Sequence, residues 1–412
     1  MKRSIITVLL ASILLISIAL SACTPIPDVG DTVTTEEQGG ETTPDANETT
    51  AEPDETTAEP SVTTKNEEPT GTTADAPAET TNAPDNEGAD YTYSSNGDGT
   101  CTLTGLSINS ADKTVIKIPA NSPSGDRVTA IADEAFMGNK RITEVTVPEG
   151  VLSVGQAAFS GCSLLEEITL PDSLTEIKMS AFYGTAYYGS APRQNGVLYI
   201  GKHLIEADRN MSGSVAIREG TLTVADYAFY SCHDLTAITF PEGLRSIGVY
   251  AFFWCKKIES IDIQESVSII KEQAFYGCAA LTDISIPDST EIEEWVFSSS
   301  GYYEDDNNWE DGVLYLGTRL LEVKTDASQI TVKEGTTVIE ESAFYGRTKL
   351  SSVIIPKSVT KIDSEAFINC DKLAAIRFGG TKAEWESVYI YSDGNSIISR
   401  CKIICSDGDI EN

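Results

Sequence analysis

Apolar residues return along the chain at a fixed interval. Phenylalanine stands at Phe136, Phe159, Phe182, Phe229, Phe252, Phe275, Phe297, Phe344 and Phe367, a step of about 23 residues that doubles at two places. Five residues before each stands Ile or Val, from Ile131 and Val154 through Ile247 and Ile270 to Ile362. After it come apolar positions such as Leu281, Ile284 and Ile286, and then usually a proline, as at Pro148, Pro171, Pro241, Pro287 and Pro356. This spacing predicts a short strand closed by a proline-marked turn, with Ala-Phe on a brief helical or irregular turn. One unit alone buries too few side chains to offset the entropy of ordering it, so the units must stack and pair strand with strand. Because every unit has the same order of parts, the stacked strands run parallel.

A longer period lies above the short one. NGVLYIGKHLIEA, starting at Asn195, returns as DGVLYLGTRLLEV at Asp311, and the phenylalanines from Phe136 to Phe229 map onto Phe252 to Phe344. The shift of about 115 residues equals five units, which places two similar long units, over 174–220 and 290–335, about 25 Å apart along the stack. Each is expected to hold a degenerate second rung (Val215 and Ile217; Ile330 and Val332) and a loop or hairpin that leaves the coil.

The units resemble the BspA-like, or Treponema-type, leucine-rich repeat, whose pattern is close to I-x-x-x-A-F-x-x-C-x-x-L-x-x-I-x-I-P; AFYGCAALTDISIPDS at Ala274 is one copy. The resemblance covers 128–380. It implies an α/β leucine-rich-repeat solenoid, a right-handed coil with a parallel sheet on one face and short turns opposite. The flanks YTYSSNGDGTCTLTGL and GGTKAEWESVYI resemble the segments that border this repeat, and imply caps over 91–127 and 381–412. The family implies a bacterial cell-surface location and adhesion to proteins or cells rather than catalysis.

Upstream of the repeats the pattern changes twice. MKRSIITVLLASILLISIALSAC reads as a basic start, an apolar run and small residues ending in a cysteine, the order of a secretory leader over 1–22. Leu20, Ser21, Ala22 and Cys23 resemble a lipobox, so Cys23 is the expected lipid anchor and the only link to a membrane. From 23 to 90 Thr, Glu, Pro, Asp and Ala dominate. Such a segment cannot offset chain entropy by burial and is expected to act as a disordered tether, whose threonines are also possible glycan acceptors. The net charge of −34 excludes nucleic acid as a partner, since phosphates would meet a like-charged surface.

Candidate chemistry is sparse. Cys162, Cys232, Cys255, Cys278 and Cys370 all fall three residues after a repeat phenylalanine, where Asn139, Thr185, Ser300 and Arg347 stand in other units. A slot that does not require sulfur is expected to hold buried thiols rather than a metal or redox ladder. Cys101, Cys401 and Cys405 carry no such comparison and their state is left open. His203 and His233 both read as surface positions, His203 corresponding to Arg319 in the duplicate. No nucleophile elbow, HExxH or paired-acid setting stands out from the repeat, so no catalytic residue, cofactor or metal is assigned. Tyr183, Tyr230, Phe253, Tyr276 and Tyr345 follow the repeat phenylalanines and suggest either a stripe for stacking on sugars or an internal stack. The strand column Thr146, Thr169, Ala216, Thr239, Asp262, Ser285, Thr331, Ile354 and Arg377 reads as small and polar, a flat outward face. The favoured ligand anchors are the aromatics of the long units, Tyr187, Tyr188, Tyr302, Tyr303 and Trp309, expected on exposed loops. Their neighbours over 304–311 are rich in carboxylates but lack the spacing of a calcium loop. The reading is a non-catalytic surface module for an extracellular protein or a glycan, with a structural envelope component as the alternative.

Overall fold

The computed structural model describes residues 90–410, all within one compact unit, Thr80–Asn412. The leader expected over 1–22, the anchor Cys23 and all but the last residue of the tether expected over 23–90 lie outside the described residues. Each unit contributes two short strands to two parallel ladders. The first ladder uses the segment before the proline: Val115–Lys117, Glu144–Thr146 and Glu167–Thr169 pair in register, Thr146 opposite Thr169. The second uses the Ile or Val five residues before the phenylalanine: Val154 pairs with Ile177, and Val224, Ile247, Ile270 and Ile292 pair in sequence. Pairing between successive units is therefore parallel, and the solenoid carries a second ladder beside the one the pattern predicts.

The Ala-Phe turn that joins them is irregular rather than helical, and it too is laced along the axis. The N–H of Phe252 donates to Ala274 O (2.8 Å), and Tyr250 and Trp254, two residues either side, donate to Glu272 O (3.1 Å) and Tyr276 O (2.8 Å). Aiming alternate N–H groups this way needs left-handed backbone at both flanking positions. Glycine meets that need at Gly161 and Gly277 (φ +68° and +70°), but Ala157, Tyr250 and Trp295 adopt φ of 53–56° without it. Such a residue costs about 1–2 kcal/mol, which the bonds to the next rung offset.

Inside the coil the phenylalanines stack face to face in three runs. Phe136, Phe159 and Phe182 lie at 5.0 and 5.5 Å; Phe229, Phe252, Phe275 and Phe297 at 4.8, 5.0 and 5.7 Å; Phe344 and Phe367 at 4.7 Å. These spacings are those of neighbouring strands, so each ring is set by its own rung. Three apolar cores follow the same division.

What divides them is the long unit. Asn195-Gly196 and Asp311-Gly312 both take positive φ at both residues, the signature of a tight hairpin turn. They open the antiparallel hairpins Val197–Ile200 with His203–Ala207 and Val313–Leu316 with Arg319–Val323. In the first, Leu198 and Ile200 enter the core on one side while Val197 and Tyr199 enter the next. A strand buried on both faces reads as a continuous apolar run, which is why VLYI and VLYL lack alternation. Both ladders break at these hairpins, so each long unit is a seam between blocks of coils. Antiparallel strands close the outer edges: Tyr91–Ser95 on Thr100–Leu106 at one end, Gly408–Ile410 on Lys402–Cys405 at the other.

Candidate functional site

The cysteine slot explains how a seam begins. In ordinary units the buried thiol donates to the carbonyl of the preceding rung's phenylalanine, as Cys255 does to Phe229 O (3.2 Å) and Cys278 to Phe252 O (3.3 Å). Cys101, Cys162, Cys232, Cys255, Cys278, Cys370 and Cys405 are buried free thiols, and burial pushes Cys370 up to about 11. Cys401 is buried as well and donates to Leu373 O at 3.4 Å. In the long units the slot holds Thr185 and Ser300 instead, whose hydroxyls accept from Tyr188 N and Tyr303 N and so cap the short helices Ala186–Ser190 and Gly301–Glu304. A hydroxyl N-cap turns the chain into a helix where a thiol lets it continue the coil.

Those helices carry the aromatics expected as exposed anchors, and the exposure is corrected: all five are half-buried. Tyr187 and Tyr302 donate to Tyr199 O (2.9 Å) and Tyr315 O (2.5 Å) of the hairpins. Tyr188 bonds Glu206, with Arg193 beside it. Trp309 donates to Tyr303 O (2.8 Å), packs edge-on against the Tyr303 ring and has the Lys324 ammonium 3.7 Å from its own ring centre. Burial raises the pKa of all four tyrosines. An amphipathic ring beside an apolar hairpin gains more from covering it than from facing water.

His203 is a second correction. It is fully buried, not a surface residue, with Nε2 3.0 Å from Pro171 O and Nδ1 2.9 Å from Thr223 Oγ1. A carbonyl only accepts, so Nε2 carries the proton and Nδ1 accepts from the threonine. Burial lowers its pKa and keeps it neutral. Its counterpart Arg319 is equally buried and donates to Pro287 O (3.2 Å), Asp288 O (2.8 Å) and Thr290 O (2.5 Å) while pairing with Glu340 at 2.6 Å. Both tie the turn before the seam to the hairpin within it. His233 is at the surface, 2.9 Å from Trp254 O.

Of the aromatic stripe, Tyr230, Phe253 and Tyr276 form an internal stack, while Tyr183 and Tyr345 stand apart from it and are exposed. Phe253 lies between Tyr230 (5.3 Å, 6°) and Tyr276 (5.0 Å, 9°) and is 3% exposed. In those three, ring faces that a sugar would need cover one another. In the outward column of the first ladder Thr169, Ala216, Thr239, Asp262, Ser285, Thr331 and Arg377 are exposed.

The largest departure from expectation is a cleft of about 320 Å³ at the second seam. It is lined by Glu272, Glu291, Ile292, Glu293, Glu294, Glu341, Asp363, Ser364 and Tyr391. Burial raises the pKa of Glu293, Glu294 and Glu341, the last to about 7, helped by the neighbouring carboxylates. Ser342 and Ser364 donate to Glu294 (2.7 Å) and Glu341 (3.0 Å), and Lys361 pairs with Asp363 at 2.6 Å. These residues escape a reading by motif, because no two share a unit in a recognised spacing. A position-by-position comparison of the two blocks would have found them, since Lys178 becomes Glu293 and Met179 becomes Glu294. Among the described residues no group of His, Cys, Asp and Glu is arranged to hold a metal ion, and no helix is long and apolar enough to cross a membrane.

Parallel rungs, stacked phenylalanines and a strand that proline closes in most ordinary turns define a leucine-rich-repeat β-solenoid. The family model for the BspA type leucine rich repeat region matches six copies, over residues 129–213, 199–318 and 318–399, and the chain belongs to that family. Among solved structures it is similar to a leucine-rich repeat protein from Bacteroides ovatus, at 25% identity over 70% of each chain and a TM-score of 0.26. It is similar also to the T. pallidum leucine rich repeat protein, at 24% identity over 53% of this chain and 89% of that one, TM-score 0.27. A third is a leucine rich cell surface protein from Faecalibacterium prausnitzii, at 22% identity over 73% and 96%, TM-score 0.23. No curated protein sequence matches the chain.

Proposed function

We propose that the protein is a non-catalytic adhesion or protein-binding module at the bacterial cell surface, displayed on a lipidated Cys23 and the tether that follows. The observation that supports this most is the outward column of the first ladder. Its short side chains stand on backbone paired rung to rung, for example Thr146 opposite Thr169 and Asp262 opposite Ser285. A surface of that kind is flat and already ordered, so a protein partner loses little freedom in it on binding. The half-exposed edges of Tyr187, Tyr188, Tyr302, Tyr303 and Trp309 form the aromatic part of the contact. A net charge of −34 favours a basic partner. Sugar stacking is less well served, because Tyr230, Phe253 and Tyr276 cover one another.

The test is retention of extracellular-matrix proteins and glycans on the immobilised full chain. Thr169→Arg, Thr239→Arg and Ser285→Arg together are expected to weaken protein retention at least about tenfold with an unchanged thermal melt. Retention of glycans alone, or a triple variant that binds like the wild type, would reject the reading.

A further inference from the structure

The pair that crosses the first seam, Lys271 Nζ with Glu176 Oε1 at 2.6 Å, is complete in itself. The turn that leaves the same seam holds side chains that are not. After the hairpin, Met211 N donates to Asp208 O (3.0 Å) and closes a turn over Asp208, Arg209, Asn210 and Met211. Ser212 then begins the strand Ser212–Ala216, which pairs parallel with Asp234–Thr239. Asparagine in a turn commonly bonds its own backbone. Here Asn210 and Ser212 are both exposed, and neither side chain is hydrogen-bonded among the described residues. Arg209 lies over the Tyr230 ring, and Asp208, whose side chain is 53% exposed, meets Arg193 Nη1 at 3.3 Å through one oxygen.

The sequence at this turn is an acceptor motif. Asn-x-Ser/Thr with no proline between occurs twice in the chain, at Asn47 and Asn210. Both copies extend to Asp-x-Asn-x-Ser/Thr, as DANET from Asp45 and DRNMS from Asp208. With 63 acids in 412 residues, chance would put an acid at about one such position in six; here both have one. Each part has a chemical use. The amide supplies the nitrogen that takes a sugar, and the hydroxyl two residues on offers a hydrogen bond to the enzyme that brings it. The carboxylate two residues before offers a cationic groove a charge-assisted contact. At the second seam the same turn reads KTDAS, with Asp326 in place of Asn210 and Ser328 in place of Ser212. Asp326 is tied to Lys349 at 3.0 Å and has no nitrogen to modify.

We propose that Asn210 is an N-glycosylation site, modified outside the membrane by a transferase that reads the Asp208 carboxylate and draws on a polyprenyl-pyrophosphate-linked oligosaccharide. The amide nitrogen bonds the anomeric carbon of the first sugar, the anomeric C–O bond to the pyrophosphate breaks, and the amide gives up one proton as the lipid pyrophosphate leaves. This goes beyond the adhesion reading and shares with it only the export of the chain. Because Ser212 begins the rung that carries Ala216, the sugar stands at the margin of the outward column, at one seam and not the other.

The experiment is peptide mass spectrometry of the full chain taken from the envelope of the cells that make it. Digestion after acidic residues separates Asn210 from Asn47 and from the threonines of the tether. The Asn210 peptide is expected to carry hexose or N-acetylhexosamine masses, lost in Asn210→Gln and Ser212→Ala and kept in Ser212→Thr. Asp208→Asn should lower occupancy at least about tenfold, the loss of one charge-assisted contact, with the thermal melt unchanged. The peptide that holds Asp326 should carry no sugar on that residue. An unmodified Asn210 on a chain lipidated at Cys23 would overturn the inference and leave the surface reading standing. Sugar that persists at Asn210 in Ser212→Ala, or full occupancy in Asp208→Asn, would overturn it as well. A glycosylated Asn210 on a chain that retains no matrix protein leaves this inference standing and removes adhesion, and a chain that keeps its leader overturns both.

Discussion

The first seam is tied by a neutral histidine and a lysine pair; the second is tied by a buried arginine and left crowded with carboxylates. Both have the same hairpin, the same capped helix and the same turn to anchor. The difference teaches that backbone geometry is conserved between duplicated blocks while polar groups are free to diverge, provided each buried one finds a partner. His203 meets this with Thr223 and Pro171, at no cost in charge. Arg319 meets it at its two terminal nitrogens, with three carbonyls and Glu340, while its Nε and Glu340 Oε2 stay unpartnered, and the second seam so depends on that carboxylate.

The largest expected effect tests that dependence. Glu340→Ala strands a guanidinium whose side chain is 4% exposed and should cost about 3–5 kcal/mol in urea unfolding. Adding Arg319→His and Val338→Thr, which copies the first seam, should recover most of it; no recovery would mean that the seams are not interchangeable. Next comes the phenylalanine stack. Phe252 has a stacked ring on both sides and Phe240 edge-on against it, Phe182 one stacked ring, so Phe252→Leu should cost more than Phe182→Leu by about 1–3 kcal/mol, two aromatic pairs. Equal losses would show that a seam hairpin packs as well as a ring. Smaller still, Lys271→Met should lower stability by on the order of 1 kcal/mol, because its pair with Glu176 is partly exposed, and should raise the pKa of Asp226 beyond about 7. A carboxylate titration unchanged in that variant would separate the two groups.

The smallest effect is in pH dependence. Glu341 has its folded pKa raised to about 7 from an ordinary value of 4.5. Between those values the folded state binds more protons than the unfolded one, so this group's contribution favours folding at the acid end and is lost as pH rises towards 7. Glu341→Gln should therefore flatten the fall in melting temperature between pH 5 and pH 7, relative to the wild type. A variant with the same slope would place Glu341 in water.

The aromatics of the long units and the histidine at 203 show where a sequence reading stops. Tyr and Trp amid Gly, Asn and Asp read as exposed loop anchors, because nothing local reveals that a hairpin of apolar residues will lie beneath them. Likewise the pairing of His203 with Arg319 suggested a tolerant surface site. Tertiary packing gives both the same carbonyls to satisfy, and two unlike donors do so. The buried thiols, by contrast, were legible, because five units supply the slot with cysteine and four with something else.

By itself the sequence determined the repeat, its parallel stacking and the place of the two interruptions, since a side chain that recurs at one interval must recur at one depth. Tertiary structure alone decided the second ladder, the left-handed turns laced to the next rung, and the meeting of residues about 70–95 positions apart at the seams. Those depend on where the hairpins turn the stack, and distance between coils is not written in the spacing within one.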